Sequence, residues 1–309
     1  MKLIGDPHIG REFRAHVPLD RVGDREEMMM KQFETELNAS DETTVIVGDL
    51  FDRPVVAIQT LYRTLDVILN AAARKPDRKI IIIAGNHDLN KAIEVRGSFH
   101  VLKVALELVP NVIVLTEPEV IDGVAYFPWQ YEKTALQQVE ELNLDTANTA
   151  VGHWDLESFG DSDTHLCPTE RLVASGITNI YSGHWHIAGD YTVSGHTVNC
   201  TGSMQPMTHA EDPKEKMYVT VTHEQYQKLD LSLYKDHYIR VRCTKGTDVV
   251  PPETCLGFKV EYHDGEAREV ERVNLGTFDM SDILKQAFET YEVHKETAQF
   301  IREKLNGLA

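Results

Sequence analysis

Five short motifs in the sequence combine glycine with side chains that can bind metal ions. In order along the chain they are Gly5-Asp6-Pro7-His8, Gly48-Asp49-Leu50-Phe51-Asp52-Arg53, Gly85-Asn86-His87-Asp88, Gly152-His153-Trp154-Asp155 and Gly183-His184-Trp185-His186. Each motif follows a segment expected to form a β-strand, and open α/β sheets bind ligands at the carboxyl ends of their strands. Glycine lets the chain turn sharply there without a clash of a Cβ atom. The motifs therefore predict one polar site built from five chain segments.

The donor atoms of these motifs predict a site for two divalent cations. Carboxylate oxygens, imidazole nitrogens and one amide oxygen come from seven residues: Asp6, His8, Asp49, Asn86, His153, His184 and His186. Mixed nitrogen and oxygen donors without a thiolate suit Mn²⁺, Fe²⁺ or Zn²⁺ better than Ca²⁺; the oxygen donors favour Mn²⁺, and Mg²⁺ is a further alternative. The carboxylate of Asp49 can bridge two ions. The competing explanation is ordinary polarity of surface loops.

A pair of divalent cations would make this site a phosphoesterase. Two such ions lower the pKa of a shared water molecule and offset the charge that builds on phosphorus during in-line attack. The departing oxygen also needs a proton, and we expect His87 to donate it because imidazole exchanges protons near neutral pH. Asp52 is expected to orient His87, and Arg53 to bind substrate phosphate.

Each of these three roles has an alternative. His87 could serve only to position the neighbouring Asn86. Asp52 could be a loop carboxylate without a role in the reaction, and Arg53 could form a structural ion pair with it.

The elements that must position these residues alternate between β-strands and α-helices over the first two thirds of the chain. Continuous apolar runs such as Ile80–Ile83 are typical of strands buried on both faces of a sheet. Strands are predicted over residues 44–47, 79–84, 111–115, 124–128, 148–151 and 177–181, and helices over residues 25–38, 57–73, 99–108, 133–142 and 169–175. This alternation predicts a layered α/β fold with mixed β-sheets flanked by helices.

Changes of pattern along the chain predict three regions. Residues 1–236 are expected to form the main domain, which ends in a hairpin-like region with strands at 190–193, 197–200, 217–222 and 228–233. Residues 237–276 are predicted to be a small β-rich cap with strands at 238–242, 257–262 and 268–273. Residues 277–309 are predicted to form a helical tail, whose apolar spacing suits either packing within the chain or binding of a partner.

The overall charge is unfavourable for an enzyme that binds nucleic acid. The chain has 49 acidic and 31 basic residues, a formal net charge of −18, whereas nucleic-acid-binding proteins usually carry a basic surface. Two segments are locally basic: the stretch 11–31, where acidic residues are interleaved, and a strand face with Arg240 and Arg242. Each is either a contact for DNA or an ordinary solvated surface.

Further features predict a cytoplasmic protein without membrane association. The sequence has no run of eighteen apolar residues, and its N-terminal apolar stretch is too short for a signal peptide. Four cysteines without CxxC spacing are expected to be reduced thiols. The sequence also has no G-x-x-x-x-G-K-[ST] loop, so we expect any ATP hydrolysis to come from a partner.

The five motifs resemble those of the calcineurin-like metallophosphoesterase superfamily, whose signature is D-x-H, GD-x-x-D, GNH[DE], a Gly-His motif and GH-x-H. Within it the chain is most similar to the SbcD/Mre-eleven DNA repair nucleases, and closest to their phage-encoded recombination endonuclease subunits. The narrower similarity rests on the segments GDLFD at 48–52, FPW at 127–129, GHWDL at 152–156 and GHWH at 183–186. The similarity covers residues 1–235 and is one of layout only beyond them.

The resemblance implies a role for each motif residue. One metal ion would be held by Asp6, His8, Asp49 and His186, and the other by Asp49, Asn86, His153 and His184. His87 would be the acid or a donor to the transition state. The implied activity is that of a Mn²⁺-dependent 3′-to-5′ DNA exonuclease and single-strand endonuclease. The implied assembly is a homodimer with an SbcC-type ABC ATPase, acting in DNA repair, replication and recombination in the host-cell cytoplasm if the chain is phage-encoded.

Two other functions are compatible with the motifs. A phosphoprotein phosphatase or small-molecule phosphodiesterase would share the segment 48–53 and suit the acidic surface. Against the phosphatase, Asp88 stands where that family prefers glutamate. The third alternative is a catalytically silent scaffold for DNA ends, and retention of all seven predicted ligands argues against it.

Overall fold

A computed structural model describes residues 1–158, 163–252 and 254–263 of the chain. The predicted strand at 268–273 and the predicted tail at 277–309 lie outside the described residues. Within the described part, no helix is long and apolar enough to cross a membrane.

The first β-sheet is parallel and is covered on one face by helices. Its strands lie in the order β1 (Lys2–Ile4), β2 (Thr44–Val47), β3 (Ile80–Ile83) and β4 (Val112–Leu115). The helices α1 (Asp24–Asn38), α2 (Ile58–Arg74) and α3 (Ser98–Leu106) connect these strands. Phe33 of α1, Ile68 of α2 and Phe99 of α3 pack in one buried cluster with Ile46 and Ile82 of the sheet. Burying each such side chain stabilises the fold by roughly 1.5–3 kcal/mol.

The second β-sheet has six strands and is mixed. In spatial order these are β5 (Glu119–Ile121), β6 (Val124–Phe127), β7 (Thr149–Gly152), β8 (Asn179–Ser182), β10 (His196–Cys200) and β9 (Gly189–Val193). The four inner strands run parallel, and both edge strands are antiparallel to their neighbours. The helices α4 (Ala135–Glu141) and α5 (Thr169–Ala174) cover one face, where Val139 and Leu172 join a buried cluster with Phe127.

The two sheets pack against each other through their remaining faces. Val45 and Ile81 of the first sheet share a buried cluster with Tyr126 and Val151 of the second. Because β2 and β3 contribute to clusters on both of their faces, every residue of these two strands is buried. The predicted α/β fold with mixed sheets flanked by helices is confirmed.

A third sheet contains three parallel strands: β11 (Tyr218–Thr222), β12 (Tyr238–Thr244) and β13 (Gly257–His263). A short helix, α6 (His223–Tyr226), follows β11. Buried side chains such as Val221, Tyr226 and Val241 form a separate small core on one face of this sheet. The strand β11, predicted as part of the hairpin-like region, thus pairs with β12 of the predicted cap.

The prediction of a strand over residues 228–233 is wrong. Residues Leu231–Tyr234 form a 3-10 helix, and the side chain of Asp230 accepts a hydrogen bond from the backbone N–H of Ser232 at its start. Such local capping competes with strand pairing and outweighs the alternating apolar pattern. By contrast, the predicted strands at 190–193 and 197–200 do form a hairpin, with Ser194 and Gly195 at positive φ in the turn.

Candidate metal centre

The five motifs lie together because they follow strands from both packed sheets. Gly5 follows β1, Gly48 follows β2, and Gly85 comes two residues after β3. From the second sheet, His153 follows β7 and Gly183 follows β8. All five strands are parallel within their sheets, so their carboxyl ends form one edge where loop side chains converge.

The backbone of this edge adopts a conformation that side chains rarely tolerate. Four predicted ligands have positive φ angles: Asp6 at 36°, His8 at 45°, Asp49 at 46° and His184 at 72°. Positive φ is uncommon outside glycine, and such a residue costs about 1–3 kcal/mol. These four are half of the eight non-glycine residues with positive φ in the described part of the chain. Strain concentrated in this way is typical of functional sites.

The glycines of the motifs leave space that the cluster fills. A Cβ atom on Gly85 would collide with both the carboxylate and the backbone nitrogen of Asp49, and one on Gly183 would collide with the backbone oxygen of Val47. Gly48 combines a positive φ of 88° with close approach of the His153 ring. Close packing around the ligands therefore requires glycine at these positions.

Replacing Gly85 with alanine is expected to remove metal binding and activity together. The added methyl group would push Asp49 away from the cluster, and forcing it into this space would destabilise the fold by about 1–3 kcal/mol. Metal content after gel filtration and a thermal melt measure the two effects. Gly189→Ala is the control, because its Cβ would meet only Tyr191 at 3.8 Å. A Gly85→Ala protein that retains its metal would contradict the expectation.

Asp49 lies at the centre of the cluster and is 1% exposed. Its Oδ2 atom is 3.6 Å from Nε2 of His8 and 3.3 Å from Nε2 of His153. Its Oδ1 atom accepts a hydrogen bond of 2.8 Å from the backbone N–H of His87. One carboxylate oxygen therefore faces ring nitrogens on two sides, which is the placement that a bridging ligand requires.

The other predicted ligands divide between these two sides. On one side, Nε2 of His8 lies 3.0 Å from Nε2 of His186. On the other, Oδ1 of Asn86 lies 3.0 Å from Nε2 of His153 and 2.9 Å from Nδ1 of His184.

Asp6 contacts the segments that carry His153 and His184. Its Oδ1 atom accepts a hydrogen bond of 3.2 Å from the backbone N–H of His184 and lies 3.6 Å from Nδ1 of His153. All seven predicted ligands are thus brought together.

Three of the four histidines also place their second ring nitrogen on an oxygen atom. Nδ1 of His153 is 2.9 Å from the backbone oxygen of Val47, Nε2 of His184 is 2.9 Å from Asp155, and Nδ1 of His186 is 3.3 Å from Glu211. An acceptor at that nitrogen fixes the tautomer, leaving the lone pair of the other nitrogen directed into the cluster. Histidine ligands of metals are usually held in this way.

None of these three oxygen partners was among the predicted site residues, and two of them contribute a side chain. Asp155 closes the motif that begins at Gly152, so its position beside a metal-binding sequence was a usable signal. Glu211 lies in an irregular segment after β10, and nothing in its sequence surroundings connects it with His186.

The pair formed by Glu211 and His186 predicts an effect on metal affinity. Glu211→Gln is expected to weaken metal binding by about 10- to 100-fold, because the neutral amide orients the imidazole less firmly. Glutamine keeps the shape and can still accept the hydrogen bond that the backbone N–H of Met207 donates to Glu211. Calorimetric titration with Mn²⁺ measures the change in affinity. The variant Glu224→Gln, at an exposed position, is the control. Equal affinities in the two variants would contradict the role of Glu211.

Burial and mutual charge shift the acid–base equilibria of the cluster. Burial raises the pKa of Asp6 to about 7, although His153 lowers it. Burial also raises the pKa of Asp49, but His153 and His8 outweigh this effect and hold it below its ordinary value. Burial lowers the pKa of His153, yet the charges of Asp49 and Asp6 raise it to about 9. The protonation states of Asp6, Asp49 and His153 therefore depend on one another.

The cluster fits divalent cations on four grounds. Oδ2 of Asp6 is buried and has no hydrogen-bond partner among the described residues. The cluster-facing nitrogens of His8 and His186 lie 3.0 Å apart, and two such lone pairs repel each other unless a proton or a cation lies between them. Positive ions would also allow the buried carboxylates to be charged together. The mixed carboxylate, imidazole and amide donors are those expected for such ions.

The residues predicted to act on substrate lie at the rim of this cluster. Nδ1 of His87 is 2.7 Å from the backbone oxygen of Asp52, so Asp52 contacts His87 through its main chain. The Asp52 carboxylate lies 3.6 Å from Nδ1 of His8 and 3.1 Å from Nη1 of Arg11. Arg53 is half exposed and lies 3.4 Å from the same carboxylate. Donor atoms of His8, Asp52 and His87 also lie within 4.8 Å of one another, a second grouping that could hold a cation.

Asp88 supports the loops beneath the cluster. This fully buried carboxylate accepts hydrogen bonds from the backbone N–H groups of Leu50, Phe51 and Gly85. It thereby ties the second motif to the third. Burial and the charge of Asp49 raise the pKa of Asp88 to about 8.

Comparison with known proteins identifies the class of this chain. The model of the calcineurin-like phosphoesterase family matches residues 2–188, so the chain belongs to this family. The chain is also similar to exonuclease subunit 1 of Enterobacteria phage T4, with 26% identity over 155 residues, or 47% of this chain and 43% of that protein. The match thus spans less than half of the relative's length. The family resemblance predicted from the five motifs is confirmed, and with it a metal-dependent phosphoesterase.

Proposed function

We propose that this protein is a two-metal DNA nuclease that hydrolyses phosphodiester bonds. The convergence of seven donor side chains from two sheets around Asp49 carries this proposal. Following the resemblance, the activity would be a 3′-to-5′ exonuclease and single-strand endonuclease that processes DNA ends in repair, replication and recombination. The similarity to a phage exonuclease subunit supports DNA over a phosphoprotein as the substrate.

The metal assignment is the one that the resemblance implies. One ion would be held by Asp6, His8, Asp49 and His186, and the other by Asp49, Asn86, His153 and His184. We propose Mn²⁺ in both sites, with Mg²⁺, Fe²⁺ and Zn²⁺ as alternatives. When bound, such ions supply an activated water molecule and offset charge on the phosphoryl group.

The protein's own side chains complete the reaction. His87 donates a proton to the departing oxygen of the DNA backbone. The backbone oxygen of Asp52 accepts from Nδ1–H of His87, so the proton that is transferred is the one on Nε2 of the imidazolium form, and the ring is left as the neutral Nδ1–H tautomer. Arg53, which is half exposed at the rim, binds a substrate phosphate in exchange for its weak contact with Asp52.

One assay tests the proposed function against the alternatives. The purified chain with Mn²⁺ is offered linear DNA, a phosphopeptide and bis-p-nitrophenyl phosphate. Cleavage of DNA that depends on Mn²⁺ is the expected result. Activity on the phosphopeptide alone would assign a phosphatase, and silence on all three substrates in the presence of the ATPase would assign a scaffold.

The partner is proposed from the resemblance and from the name of the relative, which describes a subunit of an exonuclease. We propose that residues 277–309 bind an SbcC-type ABC ATPase, that residues 237–276 act as a cap and that residues 1–236 form the nuclease domain. Deleting residues 280–309 is expected to abolish co-purification with the ATPase and to leave the metal content unchanged. Co-purification of the shortened chain would contradict this assignment.

A homodimer is proposed through the surface formed by α2 and α3. The two helices pack against each other, and each exposes large apolar side chains: Ile58 and Tyr62 on α2, and Val101 and Val104 on α3. Exposed apolar groups of this kind commonly mark protein contacts. Sedimentation of a Tyr62→Glu/Val104→Glu variant is expected to give a monomer, and an unchanged dimer would reject this surface.

A further inference from the structure

A groove of about 350 Å³ lies between the segment 11–16 and the third sheet. We call it the cationic groove. Four basic side chains line it, Arg11, Arg14, Arg240 and Lys259, together with aromatic rings that include Tyr218 and Tyr238. One acidic residue, Glu12, also lines it and forms an ion pair with Arg14. This concentration of positive charge stands out in a chain whose net charge is −18.

Two of these cations are strand partners that form no ion pair among the described residues. Arg240 of β12 and Lys259 of β13 are direct partners in the strand register. Neither makes an ion pair or a side-chain hydrogen bond within the described part of the chain, and Nε of Arg240 is buried without a partner there. Like charges directly opposite on adjacent strands are destabilising. Two residues further along the strands, the partners Arg242 and Glu261 form an ion pair of 2.8 Å.

A third residue, His209, is affected by the positive charge in the groove. His209 also lines it, and Nδ1 of this residue lies 3.0 Å from the hydroxyl of Thr220, the register partner of Arg240. Burial lowers the pKa of His209 to about 4, and the charges of Arg240, Lys259 and Arg242 contribute to that decrease, opposed by Glu261. An unbalanced cationic surface of this kind attracts an anion.

Two hydrogen bonds connect residues that line the groove with residues beside the metal centre. Arg11 lines the groove and donates to the carboxylate of Asp52, which lies 3.6 Å from His8. Met207 also lines the groove, and its backbone N–H donates to Glu211, the partner of His186. A polymer of phosphates bound at the metals would therefore extend directly into the groove.

The size and walls of the groove select the form of that polymer. A volume of about 350 Å³ is typical of a site for one small ligand, comparable to a single nucleotide. The rings of Tyr218 and Tyr238, stacked 4.6 Å apart and mostly buried, form an apolar floor beside the cations. Aromatic walls combined with a basic groove are characteristic of sites for single-stranded nucleic acid.

We propose that the cationic groove holds a single-stranded segment next to the scissile phosphodiester, with one backbone phosphate between Arg240 and Lys259. This inference rests on the proposed nuclease function and specifies how its substrate is held. The phosphate relieves the repulsion between the two cations. The site therefore recognises an unpaired strand through its phosphates, without selecting a base sequence.

Binding without cleavage tests the groove. The full chain in EDTA is titrated into a labelled oligothymidylate of about twelve nucleotides, a length within the usual range for such sites. The double variant Arg240→Gln/Lys259→Gln is expected to bind at least about tenfold more weakly. Its salt slope should fall by about 0.7, since the one phosphate contact with a single strand contributes about 0.7. Lys259→Gln alone should lower the slope by less, because Arg240 still neutralises the same phosphate.

Arg242→Gln is the matched control. It removes the same charge from the same strand, but Arg242 is paired with Glu261 and does not line the groove. Its binding should change less than about twofold, within the range of a surface substitution. Circular dichroism confirms that each variant is folded. In the double variant, the affinity for a duplex of equal length is expected to fall less than the affinity for the single strand.

Three results would overturn the proposal. The first is an equal loss of affinity in the control and in the double variant. The second is a loss of affinity in the double variant that is equal for duplex and single strand. The third is displacement of the oligonucleotide by polyglutamate at equal charge, which would identify an acidic peptide as the ligand. Failure of the two hypotheses is distinguishable. A chain that cuts DNA but binds equally well in all variants lacks this groove function. A chain with the expected binding pattern that cuts no DNA lacks the proposed activity.

Discussion

Replacing Asp49 with alanine is expected to remove both metal ions and to lower phosphodiesterase activity by at least about a thousandfold, equivalent to about 4 kcal/mol of barrier. The reason is that Oδ2 of Asp49 faces His8 on one side and His153 on the other. Any cation on either side therefore loses a charged ligand in this single variant. Metal analysis of the purified protein and the rate of DNA cleavage measure the two effects.

Asp6→Ala separates a bridging ligand from an ordinary one. Asp6 belongs to the proposed set of one ion only, so this variant is expected to retain about one ion per chain where wild type has two. The exposed Asp190→Ala should retain both. If Asp49→Ala and Asp6→Ala lose the same amount of metal, Asp49 is not shared between two sites, and the division of the cluster proposed here is wrong.

The layered core could be predicted because its strands carry continuous apolar runs. Every residue of Ile80–Ile83 is buried, as expected for a strand covered on both faces. The short edge strand Glu119–Ile121 was not predicted, because three partly exposed residues carry too little pattern. The pairing of β11 with β12 was also missed, since parallel pairing between segments separated in sequence leaves no local signal.

The predicted ligand side chains could be selected from sequence because each lies within three residues of a glycine that ends or follows a strand. Of the carboxylate partners Asp155 and Glu211, only Asp155 offered a sequence signal. Glu211 meets His186 only through tertiary packing, and the contact of His87 with Asp52 runs through a backbone oxygen that any residue could provide. Sequence motifs therefore indicate which side chains can bind metal, whereas folding determines which atoms hold those side chains in position.

The net charge of the chain does not show where the charged side chains lie. A net charge of −18 argues against nucleic acid when spread evenly. The strand register instead places Arg240 and Lys259 side by side and leaves Glu261 to pair with Arg242. The basic strand face that was ambiguous in sequence becomes one wall of the groove beside the metal centre.

Replacing His87 with alanine is expected to lower the rate of DNA cleavage by about a hundred- to ten-thousand-fold, the usual range for loss of a general acid. The backbone N–H of His87 donates to Oδ1 of Asp49, and this hydrogen bond survives the substitution. The variant is therefore expected to keep two metal ions. DNA cleavage and metal content of the same sample are the measurements.

The leaving group distinguishes proton donation from positioning. The p-nitrophenolate of bis-p-nitrophenyl phosphate departs without a proton, so His87→Ala should slow its hydrolysis far less than that of DNA. If His87 only positions Asn86, metal is lost and both substrates suffer equally. The control variant His196→Ala, at a half-buried position at the start of β10 and outside the five motifs, should leave both rates unchanged. A selective defect with alkoxide leaving groups is thus the result that assigns the proton to the imidazole of His87.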